Sequence, residues 1–382
     1  MERVSITPRN KWQETVENMG FGFHTTASVP YWKEDAYYKF KLEEILKIEK
    51  ASLELWEMCL EAVQYVIDNN MYGHFNIPKE AIPMIERSWN EDHPSIYGRF
   101  DFGYDGKNLK LFEFNADTPT SLFEGGIVQW FWLKDIEKVQ GKEIDQFNSI
   151  DDKMRDYWSV LKNYLYPGKL YFTCIRKSLE DLTTTEYIRD LAIQAGIETE
   201  LMFIDEIGWD KEQNCFVDPH NKPIKNIFKL YPWEWMVRED FAEQVENCKR
   251  MYWIEPAWKM ILSNKAILAV LWEMFPRCPY ILEAHFSDNN KLKSYVKKPL
   301  LSREGQNVSI VREGEVIEET RGEYGDGTFI CQELFDLPSF DGKRPVLGSW
   351  IIGQQSAGMG IRETDNLITG NTSCFIPHLI ED

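Results

Sequence analysis

Residues 97–121, Tyr97-Gly-Arg-Phe-Asp-Phe-Gly-Tyr-Asp-Gly-Lys-Asn-Leu-Lys-Leu-Phe-Glu-Phe-Asn-Ala-Asp-Thr-Pro-Thr-Ser121, constrain the chain more tightly than any other stretch. Successive side chains of a strand alternate between faces, so Arg99 and Asp101 point one way while Phe100, Phe102 and Tyr104 point the other. After Asp105-Gly106 the alternation resumes, with Glu113 and Asn115 set against Phe112 and Phe114. A β-hairpin with one aromatic and one polar face is predicted. A two-residue turn would place Asp101 and Glu113 on opposite faces. A three-residue loop, Tyr104-Asp105-Gly106 with the glycine left-handed, keeps them together.

Two carboxylates and an amide oxygen on one face are hard-oxygen ligands of the kind that hold Mg²⁺ against nucleotide phosphates, and Arg99 beside them suits an anionic substrate or a phosphate. The alternative is a surface hairpin with a solvated polar face. The next segment favours the site. Asn115-Ala-Asp-Thr-Pro-Thr-Ser121 is dense in short hydrogen-bonding side chains where a strand must give way to a helix, a common place for ligands.

Bulk properties narrow the partners. A chain of 382 residues predicts two or three packed lobes. Its net charge of −19 argues against nucleic acid or an anionic membrane as partner, and is compatible with a cationic substrate such as a polyamine. The 7 cysteines are scattered, with no CxxC pair, which fits a reducing compartment. The amino terminus lacks the apolar core of a signal peptide, and no uncharged run reaches the ~18 residues that span a bilayer. A soluble cytoplasmic protein is expected.

In chain order, the periodicity predicts a short helix over 9–20 and a long one from Asp35 to about Asn69, on which Leu42, Ile45, Leu46, Leu53, Trp56, Leu60, Val63 and Ile67 form the buried stripe. A short helix follows between Pro78 and Trp89, then the hairpin. Next come an apolar helix over 122–135 with Trp130, Phe131 and Trp132 packed inside, and a polar helix over about 144–165. Leu170–Ile175, Thr183–Ala195 and Glu200–Ile204 read as strand, helix and strand, hence a parallel sheet, with a further strand at Asn226–Tyr231. No GxGxxG follows any of these strands. Residues 253–276 read as mainly helical. Short strands are predicted at 294–298, 308–312, 315–320, 328–334, 346–352 and 355–362. The fold class is α/β (α+β), with a boundary near 250 separating residues 1–250 from 251–382.

The carboxyl-terminal region holds a second constellation. Tyr295-Val-Lys-Lys298-Pro-Leu-Leu-Ser302-Arg-Glu-Gly305-Gln-Asn-Val308 reads as strand, loop and strand. Lys298 ending a strand, followed by a loop containing Ser302, Gly305, Gln306 and Asn307, places an ammonium and several backbone N–H groups where phosphates bind. The alternative is a hairpin with a solvated basic turn. Lys265 opens a helix, and the Gln332-Glu333 end of an apolar strand is suited to an adenine edge.

Taken in order, these parts match ATP-grasp enzymes, and the chain resembles the synthetase half of glutathionylspermidine synthase and its stand-alone bacterial acid–amine ligase homologues. The resemblance spans nearly the whole chain. It rests on Tyr97-Gly-Arg-Phe-Asp, Phe112-Glu-Phe-Asn-Ala-Asp-Thr-Pro-Thr-Ser, Trp233-Glu-Trp, Ser263-Asn-Lys, Val296-Lys-Lys-Pro with Ser302-Arg-Glu-Gly, and Gly358-Met-Gly-Ile-Arg362. It implies a pre-ATP-grasp domain with a parallel sheet, joined to an ATP-grasp fold that takes ATP and Mg²⁺. Asp101, Glu113 and Asn115 would be the metal ligands. Lys265 and Lys298 would contact phosphates beneath the 302–308 loop, and Gln332, Glu333 and Leu334 would line the adenine pocket. Arg99 and Arg362 would hold the carboxylate substrate and stabilise the transferring phosphoryl group, and Thr118, Thr120 and Glu234 would touch the acid. The implied reaction joins a carboxylate such as glutathione or a peptide to a polyamine or other amine. The amidase domain of the bifunctional enzymes has no counterpart in the resemblance, so no hydrolysis of the product is expected. Around Thr372–Phe375 the chain offers no carboxylate for spermidine. The rival reading is a nucleotide-binding regulatory or scaffold protein of the same fold that lacks turnover.

Overall fold

A computed structural model describes residues 1–26, 29–287, 291–324, 327–370 and 373–381. The hairpin forms the edge of a five-stranded antiparallel sheet in the order Cys374–Ile376, Gln355–Thr364, Arg344–Ile352, Tyr97–Tyr104, Leu109–Asn115. The loop differs from the expected one: it contains four residues, Asp105–Asn108, with Gly106 left-handed and the Asp105 carboxylate accepting from the backbone of Lys107 and Asn108. A loop of that parity alone would pair Asp101 with Phe112. A β-bulge supplies the missing residue: Tyr104 pairs with Leu109 and Phe102 with Leu111, Phe112 is skipped, and Asp101 pairs with Glu113. The bulge also takes Phe112 out of the aromatic face. Phe100 and Phe114 stack at 4.0 Å in the core, whereas Phe112 lines a cleft.

A second antiparallel sheet, ordered Ala284–Phe286, Phe329–Glu333, Tyr295–Pro299, Ser309–Arg312, Glu315–Glu319, faces the polar side of the hairpin. The third is parallel, in the order Tyr252–Ile254, Asn226–Leu230, Leu170–Cys174, Thr199–Phe203. Its strands Leu170–Cys174 and Asn226–Leu230 are buried throughout, as a sheet covered on both faces requires. The crossover helix Leu179–Gln194 begins where the Ser178 hydroxyl accepts from the Asp181 N–H at 3.1 Å, and left-handed Gly196 follows its end.

Several sequence expectations are corrected. Ala36–Phe40 is a strand, and the long helix starts only at Leu42. The strand is held by antiparallel pairing with Glu2–Ser5 and parallel pairing with His378–Ile380, partners that local periodicity cannot see. On that helix Leu42, Leu46 and Leu53 are exposed, while Ile45, Ile48, Leu55, Trp56, Cys59, Val63 and Val66 pack inward. The helix expected at 122–135 begins as a π turn, Glu124–Val128, and continues as Gln129–Gln140; Trp132 is buried but Trp130 and Phe131 are exposed. The helix expected over 144–165 covers only Ile150–Leu161. The region 253–276 starts as the strand Tyr252–Ile254 before its two helices, Lys259–Leu262 and Ala266–Met274. Among the described residues no helix is long and apolar enough to cross a membrane.

Candidate active site

The central and second sheets meet at a cleft lined by residues of both. Strand pairing brings the hairpin's polar side chains to its floor. The Arg99 guanidinium donates to both Asp101 oxygens, at 2.6 and 3.0 Å, and to the Thr120 carbonyl at 2.7 Å. Gly348 lies opposite Asp101 on the neighbouring strand, and a Cβ there would stand 2.8 Å from the Arg99 Cδ, so glycine clears the path of the guanidinium. The Asn115 amide donates to Asp101 at 3.1 Å and to Glu113 at 3.2 Å. Arg362, from the strand Gln355–Thr364, approaches Asp101 to 4.0 Å.

The opposite wall carries the lysines. Lys265, at the start of the helix Ala266–Met274, reaches Glu113 at 3.1 Å and the Ser302 carbonyl at 2.6 Å. Lys298 donates to the Phe112 carbonyl at 2.8 Å and to Gln332 at 2.6 Å, and Gln332 donates in turn to the Leu111 carbonyl. Bulging at Phe112 therefore creates the carbonyl acceptor that ties the two sheets together. Burial works to raise the Glu113 pKa, yet Lys265 and Lys298 beside it, with hydrogen bonds from Lys265 and Asn115, hold it at about 2. Burial lowers Lys298 to about 8 against the pull of Glu113.

Of the residues singled out from sequence, Asp101, Glu113, Lys265, Lys298, Gly305, Gln332, Glu333, Leu334 and Arg362 line this one cleft. Arg99, Asp101 and Arg362 border a smaller hollow beside it, together with Ser121. Ser302, Gln306 and Asn307 shape the loop: Ser302 donates to the Pro299 carbonyl, and the Gln306 and Asn307 side chains accept from the backbone of Glu323 and Tyr324. Gly305 is left-handed at φ 68°, and a Cβ on it would lie 2.5 Å from the Thr369 carbonyl oxygen, so only glycine fits. Thr118 and Glu234 are joined by Arg303, which donates to them at 2.9 and 2.6 Å and lies over the Trp235 ring. Arg303 went unread although it stands inside Ser302-Arg-Glu-Gly; its partners lie 185 and 69 residues away.

The donor set fits a magnesium ion. Glu113 is ionised, Asp101 faces it across the strand pair, and the Asn115 amide touches both, so a half-turn of that amide presents a third oxygen. Among the described residues no cluster of three His, Cys, Asp or Glu groups competes as a metal site. Val296, Val308, Ile310 and Leu334 give the far end of the cleft an apolar lining.

Two antiparallel sheets enclosing such a cleft beside a parallel sheet define a glutathione synthetase-like ATP-grasp fold. A solved glutathione synthetase like-effector (GSS30) of Globodera pallida shares it, with a TM-score of 0.58 over 90% of this chain and 89% of that one at 9% identity. The family model described as glutathionylspermidine synthase preATP-grasp matches residues 3–381. This chain belongs to the glutathionylspermidine synthase family, a family of ATP-dependent amide-forming ligases. It is 40% identical to a Haemophilus influenzae protein named "Putative acid--amine ligase", covering 99% of both chains. It is 31% identical to trypanothione synthetase of Crithidia fasciculata and 28% identical to the bifunctional glutathionylspermidine synthetase/amidase of Escherichia coli, with 89% and 91% of this chain matched. The matches cover 56% and 60% of those longer proteins.

Proposed function

We propose that this protein is an ADP-forming acid–amine ligase. The γ-phosphoryl group of ATP passes to a carboxylate, giving an acyl phosphate, and an amine then displaces phosphate to leave an amide. The observation that carries this reading is the convergence of Arg99, Asp101, Glu113, Asn115 and Arg362 with Lys265 and Lys298 around one cleft. A carboxylate is a poor acyl donor because its leaving group would be oxide or hydroxide; phosphate is a far better one. Bringing two anions together calls for fixed positive charge, and no covalent nucleophile is needed.

In this reading Lys265 and Lys298 bind the phosphates, and the loop around Gly305, with Ser302, Gln306 and Asn307 setting its shape, covers them against water. Gln332, Glu333 and Leu334 form the adenine end. Mg²⁺, held by Asp101, Glu113 and Asn115, would neutralise phosphate charge. Arg99 and Arg362 hold the acid's carboxylate, while Thr118, Thr120 and Glu234, braced by Arg303, contact the rest of the acid. Residues 1–250 thus supply most of the substrate side, and residues 251–382 the nucleotide side. For the amine, Glu180 and Asp181 open the helix Leu179–Gln194 close to Arg303 and Glu304, and burial with the neighbouring Glu180 pushes Asp181 up to about 6. This anionic corner suits a polyamine. Glutathione and spermidine are the first pair to test, because two relatives carry their names.

The test is ADP release from Mg-ATP with glutathione and spermidine, singly and together, with Asn115→Ala as control. Release that needs both, falling at least ~100-fold in the variant, is expected from loss of one preorganised electrostatic contact. Equal release without either substrate would contradict the reading. Nucleotide affinity should also follow Lys298: binding is steady below about pH 8 and weakens above it as the ammonium loses its proton. In Lys298→Arg the dissociation constant should stay flat across that range, because a guanidinium keeps its charge. A wild-type profile flat beyond pH 9 would remove Lys298 from the phosphate site.

A further inference from the structure

The incoming amine must lose a proton before it attacks, and no group described so far accepts it. Behind the acid subsite a chain of hydroxyls ends on a buried carboxylate. Ser121, which borders the hollow shared by Arg99, Asp101 and Arg362, has a left-handed backbone at φ 69°, strained for a residue with a side chain. Its hydroxyl lies 2.8 Å from the Tyr31 hydroxyl, and Tyr31 donates to Glu124 at 2.7 Å. Glu124 opens the π turn Glu124–Val128, a local helix form associated with functional sites. It is fully buried, and apart from its own backbone N–H and the Tyr31 hydroxyl its carboxylate takes no hydrogen bond from the described residues, the second oxygen meeting no side chain. A buried acceptor is normally satisfied, so a carboxylate oxygen that meets no side chain needs a reason.

The surroundings hold the turn in place. A Cβ on Gly126 would lie 2.5 Å from the Tyr187 hydroxyl, which itself faces Asp151 at 3.4 Å, and one on Gly125 would press on the Trp350 indole. The charged and titratable groups around Glu124 are Tyr31, Glu180, Arg99 and the Tyr187–Asp151 pair. Burial, with Glu180 adding to it and Arg99 opposing it, raises the Glu124 pKa to about 8. A proton acceptor works best when its pKa lies near the working pH.

We propose that Glu124, acting through Tyr31 and Ser121, receives the proton of the substrate ammonium; the inference rests on the ligase reading above. The ammonium gives a proton to the Ser121 oxygen as the Ser121 proton passes to Tyr31 and the Tyr31 proton passes to Glu124. The result is a neutral amine and a carboxylic acid, with both hydroxyls restored. The amine nitrogen then forms its bond to the acyl carbon, the carbon–oxygen bond to phosphate breaks, and one of the two nitrogen protons leaves with the phosphate while the other stays on the amide. Glu124 returns its proton to solvent after product leaves. It is a positioning and relay residue, since it does not touch the reacting atoms.

The experiment separates acid activation from amine attack. Wild type and Glu124→Gln are assayed with Mg-ATP and a panel of glutathione, γ-glutamylcysteine and glutamate, using either hydroxylamine or spermidine as nucleophile. Hydroxylamine is neutral at pH 7 and needs no proton acceptor. Hydroxamate formation should therefore match in the two proteins, which also shows that the variant folds. Amide formation with spermidine should fall ~100-fold at pH 7 in Glu124→Gln, the size usual for loss of general-base help. In wild type the rate should rise through about pH 8 and level. In the variant it should keep climbing with the free-amine fraction and approach wild type at high pH. Tyr31→Phe, which cuts the relay and keeps the ring, should show the same split. Equal amide rates at pH 7, or parallel loss of hydroxamate and amide, would overturn the relay and leave the ligase reading intact. Absence of hydroxamate from wild type with every acid would overturn both.

Discussion

Arg362→Ala is expected to lower amide formation by ~10³-fold or more, the scale on which an arginine stabilises a transferring phosphoryl group. Arg362 projects from the strand Gln355–Thr364 into the cleft, 4.0 Å from Asp101 and on the same side as Arg99. Charge builds on the γ-phosphoryl oxygens and the attacking carboxylate only as they approach, so the loss should fall on kcat more than on nucleotide binding. Arg362→Lys should recover little, because a single ammonium cannot present two N–H groups in one plane. With the side chain 24% exposed and, among the described residues, only a long ion-pair contact to Asp101, the variant should melt close to wild type. Turnover within threefold of wild type would remove Arg362 from the reaction.

Lys229→Met is expected to destabilise the fold by about 3–5 kcal/mol, as breaking one side of a buried ion pair does. Lys229 and Asp117 are both fully buried and meet at 2.6 Å; Asp117 also accepts from the Trp233 N–H at 2.9 Å, and Lys229 donates to the Tyr231 carbonyl at 3.0 Å. Removing the ammonium leaves Asp117 charged, dry and short of a partner, in the middle of the loop that carries Thr118 and Thr120. Chemical denaturation should show a lower midpoint with an unchanged slope. Adding Asp117→Asn should recover part of the loss, because a neutral amide no longer leaves a charge buried alone. An unfolding free energy within about 1 kcal/mol of wild type would mean that the loop is held by Trp233 and the backbone.

What was legible in the sequence followed from local rules. Alternation over 99–101 and 113–115 marked the polar face because side-chain period is fixed within a strand. The six strands expected between 294 and 362 fell close to their observed positions for the same reason, whereas Ala284–Phe286, Cys374–Ile376 and His378–Ile380, three residues each, were too short to show a period. Parity across the hairpin was another matter: it depends on which residue a partner strand skips, and skipping Phe112 replaced the expected odd loop. Ala36–Phe40 was drawn into the following helix because its pairing partners lie at the two ends of the chain.

The site was legible where ligands are held by adjacent residues, and hidden where a side chain is defined by distant company. Asp117 and Lys229, 112 residues apart, give no sign in sequence of being one buried pair. Glu124 reads as an ordinary acidic residue ahead of an apolar helix. Only the π turn, the Tyr31 hydroxyl from 93 residues upstream and complete burial make it unusual.

The central claim is that the acid is activated as an acyl phosphate, and isotope transfer tests it most directly. The acid substrate identified by ADP release is labelled with ¹⁸O in both carboxylate oxygens and turned over with Mg-ATP and the amine. One ¹⁸O atom should appear in each inorganic phosphate, since the carboxylate oxygen that attacks the γ-phosphorus leaves with it. Unlabelled phosphate, or label in AMP, would contradict the account.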